Sequence, residues 1–111
     1  MDDLLTTPKL LELVAERFKV LSEPTRLQIL STLREGEHTV SELVDATGCG
    51  QANVSKHLQI LHSAGFVVRR REGLYVHYRL EGDEVFQLCD IMCGVLTDEA
   101  RAREAILGGE G

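Results

Sequence analysis

"SELVDATGCGQANVSKHLQILHSAGF", residues 41–66, is the stretch on which the fold turns. Ser41 can cap a short helix carrying Leu43 and Val44, and Gly48 is its natural stop. Gly48-Cys49-Gly50 makes a tight turn. A second helix follows over about residues 51–64 and ends at Gly65. Two helices joined by a glycine-containing turn are a helix-turn-helix pattern.

The flanking residues extend this core in both directions. In "PKLLELVAERFKVL", residues 8–21, Leu10, Leu11, Val14, Phe18 and Leu21 recur at helical spacing. A second helix begins at Pro24, capped by Ser22 or Glu23, with Leu27, Ile29, Leu30 and Leu33 as its buried face and Gly36 as its stop. Downstream, "FVVRRREGLYVHYRL", residues 66–80, switches to β-type residues on either side of Glu72-Gly73, which reads as a hairpin turn. Residues 82–107 are helical again, and "GGEG" is expected to fray from the end. The expected fold is mainly α with a small β-hairpin, in the order α-α-α-α-β-β-α, as a single domain over residues 1–111. There is no internal repeat, linker or low-complexity segment.

A hydrophobic share of 43% and a charged share of 27% describe an ordinary globular chain. No apolar run approaches the length of a membrane span, and "MDDLLTTPKL" is acidic where a signal peptide would be basic. The chain is therefore expected in the cytoplasm, with no membrane partner. Three cysteines suit reduced thiols better than a disulfide framework.

A net charge of −6 argues against a nucleic-acid partner until its distribution is read. Residues 1–50 carry 5 basic and 9 acidic side chains, and residues 81–111 carry 2 and 8. Residues 51–80 reverse the sign: Lys56, Arg69, Arg70, Arg71 and Arg79 stand against Glu72 alone, a balance of +4. A basic middle between acidic ends is a localised electrostatic footprint, or else a solvated charge run.

The pattern within residues 51–64 favours the footprint. Val54, Leu58 and Leu61 share the inward face. Ala52, Asn53, Ser55, Lys56 and Gln59 project outward or sideways with no acid among them, whereas a merely solvated face would mix Glu with Lys. These side chains offer amides and hydroxyls for base edges and one cation for a phosphate or guanine. Arg69, Arg70 and Arg71 approach the hairpin turn, where guanidinium groups meet DNA backbone or minor groove. Strand alternation sends neighbours to opposite faces, so the three are not all expected to reach DNA; one is available to pair with an acidic helix. Tyr75 and Tyr78 read as sheet packing, and 5% aromatic residues do not suit a stacking-based single-strand binder. No local motif supports an enzyme. A winged helix that binds a protein partner is the other reading, and the acid-free face and the arginines argue against it.

"LSEPTRLQILSTL" (21–33) and "TVSELVDATGCGQANVSKHLQILHSAGFVVRRREGLYVHYRL" (39–80), with the trailing helix, resemble the ArsR/SmtB family of winged-helix repressors over roughly residues 10–107. The resemblance implies a winged helix-turn-helix homodimer, joined mainly by residues 8–21 and 82–107, with its helix-turn-helix at 40–64 and its wing at 66–80. It also implies double-stranded DNA as partner, an inverted-repeat operator, and release on binding an inducer. By position, Gln51, Asn53, Ser55, Lys56 and Gln59 fall on the recognition helix, and Arg69 to Gly73 on the wing. His57 matches a His in the family's S-x-H-L stretch, where packing or phosphate contact is the expected role rather than metal.

Two metal sites of the family are missing. Where its soft-metal site reads "ELCVCDL", this chain has "EHTVSEL" (37–43), with Thr39 and Ser41 in place of thiolates. The zinc-type site needs histidines on the last helix, and residues 82–107 contain none. Cys49, Cys89 and Cys93 remain as the sensing candidates. Cys89 and Cys93 are i and i+4, one above the other on a helix face. Three readings stand. Val85, Cys89, Met92, Cys93 and Leu96 form an apolar stripe in which the thiols are plain packing. Alternatively, Cys89 and Cys93 bind As(III) or another soft metal ion, with Cys49 as a third donor. In the third reading they take part in redox or sulfur chemistry, although a direct i,i+4 disulfide strains a helix and nearby Asp90 does not favour a lowered thiol pKa. Sensing through these thiols is the leading expectation; a repressor without such a site is the alternative.

Overall fold

The computed structural model of the chain describes residues 7–107. The acidic amino-terminal residues and the expected fraying of the final Gly-Gly-Glu-Gly lie outside them. Two compact units divide at residues 81 and 82.

The first unit opens with α1 (Pro8–Leu21) and α2 (Pro24–Leu33), each with a proline in its first turn. Proline suits this position because its missing N–H has no helical partner there. Glu23 caps α2: its Oε1 accepts from the Thr25 N–H at 3.0 Å. Ile29, Leu30 and Leu33 are buried, but Leu27 is 38% exposed, contrary to expectation. At about 100° per residue, Leu27 sits more than a quarter turn from the centre of the face those three define. No residue of α1 is buried, and Leu11 and Phe18 of its apolar stripe are exposed.

β1 (His38–Thr39) leads into α3 (Val40–Thr47). The cap of α3 is Thr39 rather than Ser41. Thr39 Oγ1 accepts from the Glu42 N–H at 3.2 Å, and Glu42 Oε1 accepts from the Thr39 N–H at 2.8 Å. This capping box needs an acid three residues after the cap, which Thr39 has and Ser41, followed by Val44, lacks. Gly48 closes the helix at φ 74°, a left-handed conformation that costs glycine little.

The second helix of the motif is α4 (Gln51–Ser63). It ends as a Schellman motif: Gly65, at φ 86°, donates to the His62 carbonyl, and Phe66 donates to that of Leu61 at 3.0 Å.

β2 (Val67–Glu72) and β3 (Tyr75–Leu80) then pair antiparallel. The pairing of Glu72 with Tyr75 leaves Gly73-Leu74 as the loop, one residue beyond the expected Glu72-Gly73 turn. Gly73 alone has positive φ (61°), the sign pattern of a type II′ turn that follows the strand twist. β1 adds to β3 through His38–Tyr78 and Thr39–His77, so the sheet has three strands in the order β1-β3-β2. Two residues are too short to show a period, which hid β1 in the sequence.

The core of this unit joins α2, α3 and α4 to the base of the sheet through Ile29, Leu30, Leu43, Val54, Leu58, Leu61 and Val67, each no more than 2% exposed. Tyr78 is buried, while Tyr75 is 65% exposed rather than packed. An odd separation along a strand puts the two rings on opposite faces.

The second unit contains α5 (Glu84–Leu107), whose first turn carries Glu84. The Asp83 carbonyl accepts from Phe86 N–H at 3.0 Å and Gln87 N–H at 3.3 Å. Val85 and Phe86 are buried; from Leu88 onward the apolar residues are exposed, including Ile91, Met92, Val95 and Leu96. Among the described residues, no helix is long and apolar enough to cross a membrane.

Candidate nucleic-acid interface

α4 divides its side chains cleanly. Val54, His57, Leu58 and Leu61 are buried, while Gln51, Ala52, Asn53, Ser55, Lys56 and Gln59 are all exposed. The five expected contact residues therefore share the solvent side of one helix, anchored by three aliphatic side chains beneath. This side carries amide, hydroxyl and ammonium groups and no carboxylate. Gly50 caps the helix without a side chain, leaving the first-turn N–H groups uncovered by any cap residue.

The wing separates its three arginines. Arg69 pairs across the strands with Tyr78, Arg70 with His77 and Arg71 with Val76, so Arg69 and Arg71 share a face and Arg70 takes the other. A groove of about 370 Å³ runs beside Arg69, Arg70, Arg71, Val76 and Tyr78. Arg70 has acidic partners, and they are not on a helix. Its Nε meets both oxygens of Glu37 at 3.0 Å, its Nη2 meets Glu37 Oε1 at 2.7 Å, and its Nη1 lies 3.5 Å from Glu72 Oε1. Glu37 precedes β1, and the sheet brings it to the wing. The hydrogen bond from Arg70 holds the Glu37 carboxyl below its usual value, and the same contact raises the Arg70 guanidinium further. His77 completes the cluster, with Nε2 3.5 Å from Glu72 Oε1 and Nδ1 3.9 Å from Glu37 Oε1.

His57 takes a packing position. Its ring is buried between Arg26 and Glu23 of α2, with Arg26 Nε 3.1 Å from Nδ1 and Glu23 Oε2 3.1 Å from Nε2. Sequence spacing gave no sign of this arrangement, because the partners lie more than thirty residues away on another helix.

None of the three cysteines is joined in a disulfide: Cys49 and Cys89 are partly exposed and Cys93 exposed. Cys49 sits in the turn between α3 and α4, where its N–H donates to Thr47 Oγ1 at 3.2 Å. Cys89 and Cys93 stand one turn apart on α5. Among the described residues, no three His, Cys, Asp or Glu side chains gather as a metal-holding group.

A helix-turn-helix whose second helix presents an acid-free face, followed by a basic hairpin closed by a third strand, is a winged helix-turn-helix. The chain belongs to the ArsR family: the family model described as "Bacterial regulatory protein, arsR family" matches residues 23–68. It is 39% identical over 101 residues to the HTH-type transcriptional regulator Rv0324 of Mycobacterium tuberculosis, covering 91% of this chain but 44% of that protein's length. It is 34% identical over 99 residues to a Streptomyces lividans protein named "Probable mercury resistance operon repressor", covering 87% of this chain and 79% of that one. The homodimeric winged helix-turn-helix DNA-binding domain Mb0332 of Mycobacterium bovis superposes with a TM-score of 0.75 at 37% identity, over 85% of this chain and 87% of that one.

Proposed function

We propose that this chain is a DNA-binding transcriptional repressor that acts as a homodimer on an inverted-repeat operator. One observation carries this reading. The exposed face of α4, formed by Gln51, Asn53, Ser55, Lys56 and Gln59, is free of acid in a chain of net charge −6. Amide, hydroxyl and ammonium groups suit base edges and phosphates, and a carboxylate on the same face would repel the phosphates. Arg69 and Arg71 extend the same sign of charge along the wing. Two-fold symmetry would repeat α4 about one DNA turn away, so that each copy enters a successive major groove. The exposed apolar side chains of α1 and α5 suit a subunit interface, in keeping with the homodimeric Mycobacterium bovis relative.

We further infer that inducer chemistry acts through Cys89 and Cys93. Their placement one turn apart on α5, with Cys93 exposed, suits a soft metal ion such as As(III) or a sulfur species, and the relative named for mercury resistance supports thiol-directed sensing. A change at this helix would alter the dimer and the spacing of its two α4 helices, releasing DNA.

Salt-dependent binding tests the DNA-reading face. Lys56→Ala should weaken binding to every duplex alike and flatten the slope of log affinity against log salt by about one. Asn53→Ala should lower affinity for a duplex enriched from a random-sequence pool far more than for bulk DNA. If neither substitution changes binding, α4 is not the reading helix.

A further inference from the structure

Between α2 and α4 lies a partly buried polar chain, centred on the buried His57, that the DNA-contact residues do not use. Arg26 of α2 extends its guanidinium two ways: Nη1 donates to the Val20 carbonyl at the end of α1 at 3.0 Å, and Nε donates to His57 Nδ1 at 3.1 Å. On the other side of the ring, His57 Nε2 faces Glu23 Oε2 at 3.1 Å. Glu23 is itself the cap of α2, its other oxygen accepting from Thr25. Four side-chain contacts thus tie the end of α1, the first turn of α2 and the middle of α4.

The chemistry of the chain restricts its geometry. A guanidinium can only donate, so His57 Nδ1 must be an unprotonated acceptor and the ring proton must sit on Nε2. Glu23 Oε2 is closed off from solvent and faces the ring Nε2 at 3.1 Å. A carboxylate oxygen without water depends on the polar atom beside it, so displacing the ring is costly. His57 is also the one buried polar residue of α4, lying between Lys56 and Leu58 and one turn from Asn53. The van der Waals core would hold α4 against α2 without it. What the polar chain adds is directional: it fixes the rotation of α4 about its own axis and its advance along α2.

We propose that Arg26, His57 and Glu23 are positioning residues that set the register of α4 for base reading and link it to the end of α1. The proposal rests on the reading of α4 as the DNA-reading helix. Because α1 exposes an apolar face suited to a subunit contact, a shift of α1 would pass through the Val20 carbonyl and Arg26 to His57, and so to the exposed side of α4. The effect would fall on discrimination between sequences, since Lys56, Arg69 and Arg71 continue to attract phosphate wherever α4 points.

The test uses full-length protein and two DNA probes: a duplex that the wild type enriches from a random-sequence pool, and bulk heterogeneous DNA. His57→Leu fills the space but removes both ring nitrogens. It is expected to lose about tenfold affinity for the enriched duplex while keeping its affinity for bulk DNA. His57→Asn places an amide oxygen where Nδ1 was and should restore binding to within about threefold. Arg26→Lys, with one ammonium in place of two separated donors, should show the same selective loss, and combining it with His57→Leu should add little. The single Arg26→Lys variant, which leaves the His57 ring in place, also answers for a His57→Leu chain that does not fold. Equal losses on both DNA probes, no rescue by Asn, or full additivity of the two substitutions would overturn the relay. If the wild type enriches no duplex at all, the DNA-reading conclusion falls and the relay with it. Enrichment matched by His57→Leu overturns the relay alone.

Discussion

Arg70 holds Glu37 through both carboxylate oxygens, with Nε at 3.0 Å from each and Nη2 at 2.7 Å from Oε1. The pair spans thirty-three positions of sequence and fastens the wing to the segment that enters β1. It also sets Arg70 apart from Arg69 and Arg71, since a guanidinium matched to a carboxylate is partly neutralised toward phosphate. Glu37→Gln removes that neutralisation. It should raise affinity for bulk DNA and steepen the log–log salt slope by about one unit between roughly 50 and 200 mM salt. An unchanged slope would mean that Arg70 already reaches phosphate while paired.

Acid should loosen the same region. Glu37 is depressed chiefly by the hydrogen bond from Arg70, and Glu42 chiefly by the Thr39 backbone N–H. A carboxyl whose folded pKa lies below its unfolded value contributes stability that is present above about pH 4.5. That contribution is lost as the pH falls through the lowered folded value. Melting temperature followed downward from pH 6 should therefore decline near and below that point, and less steeply in Glu37→Gln than in wild type. Both groups are solvent-accessible, so high salt should shrink the Glu37 part of the difference.

The capping box makes a local prediction. Thr39→Ala leaves the Glu42 N–H without its side-chain acceptor and should cost about 1 kcal/mol in urea unfolding. Ser41→Ala should cost far less, because Ser41 is exposed and Thr39 holds the cap. Equal costs at the two positions would contradict the cap assignment.

The α5 thiols give the test that separates sensing from packing. Cys89→Ser and Cys93→Ser should bind DNA as wild type does, yet stay bound when As(III) or polysulfide releases the wild type. Cys49→Ser shows whether the turn between α3 and α4 supplies a third donor. If both α5 variants still release DNA under every thiol-directed reagent, the cysteines only line an apolar face.

Core truncation supplies a reference scale for these effects. Leu58→Ala, at a position fully buried beneath the exposed face of α4, should destabilise the chain by about 2–5 kcal/mol in denaturant titration. Leu74→Ala, at a wing-tip position 94% exposed, should leave stability within about 0.5 kcal/mol.

The amino-acid sequence by itself determined the helices, the hairpin that follows them and the outward face of α4. Those features follow from local periodicity, from glycines such as Gly48 and Gly65 at positive φ, and from charge, all of which act over a few residues. Its resemblance to the ArsR family was legible in the sequence as well, over roughly residues 10–107, and the family model matches residues 23–68 within that span. Tertiary structure decided what lies between distant segments. β1 exists because His38 and Thr39 meet β3, Arg70 is paired with a carboxylate because Glu37 meets the wing, and His57 is buried where Arg26 and Glu23 close on its ring. The physical reason is common to all three. A hydrogen bond or ion pair is specified by two partners at a distance and an angle, and a linear pattern records the partners without recording that they meet.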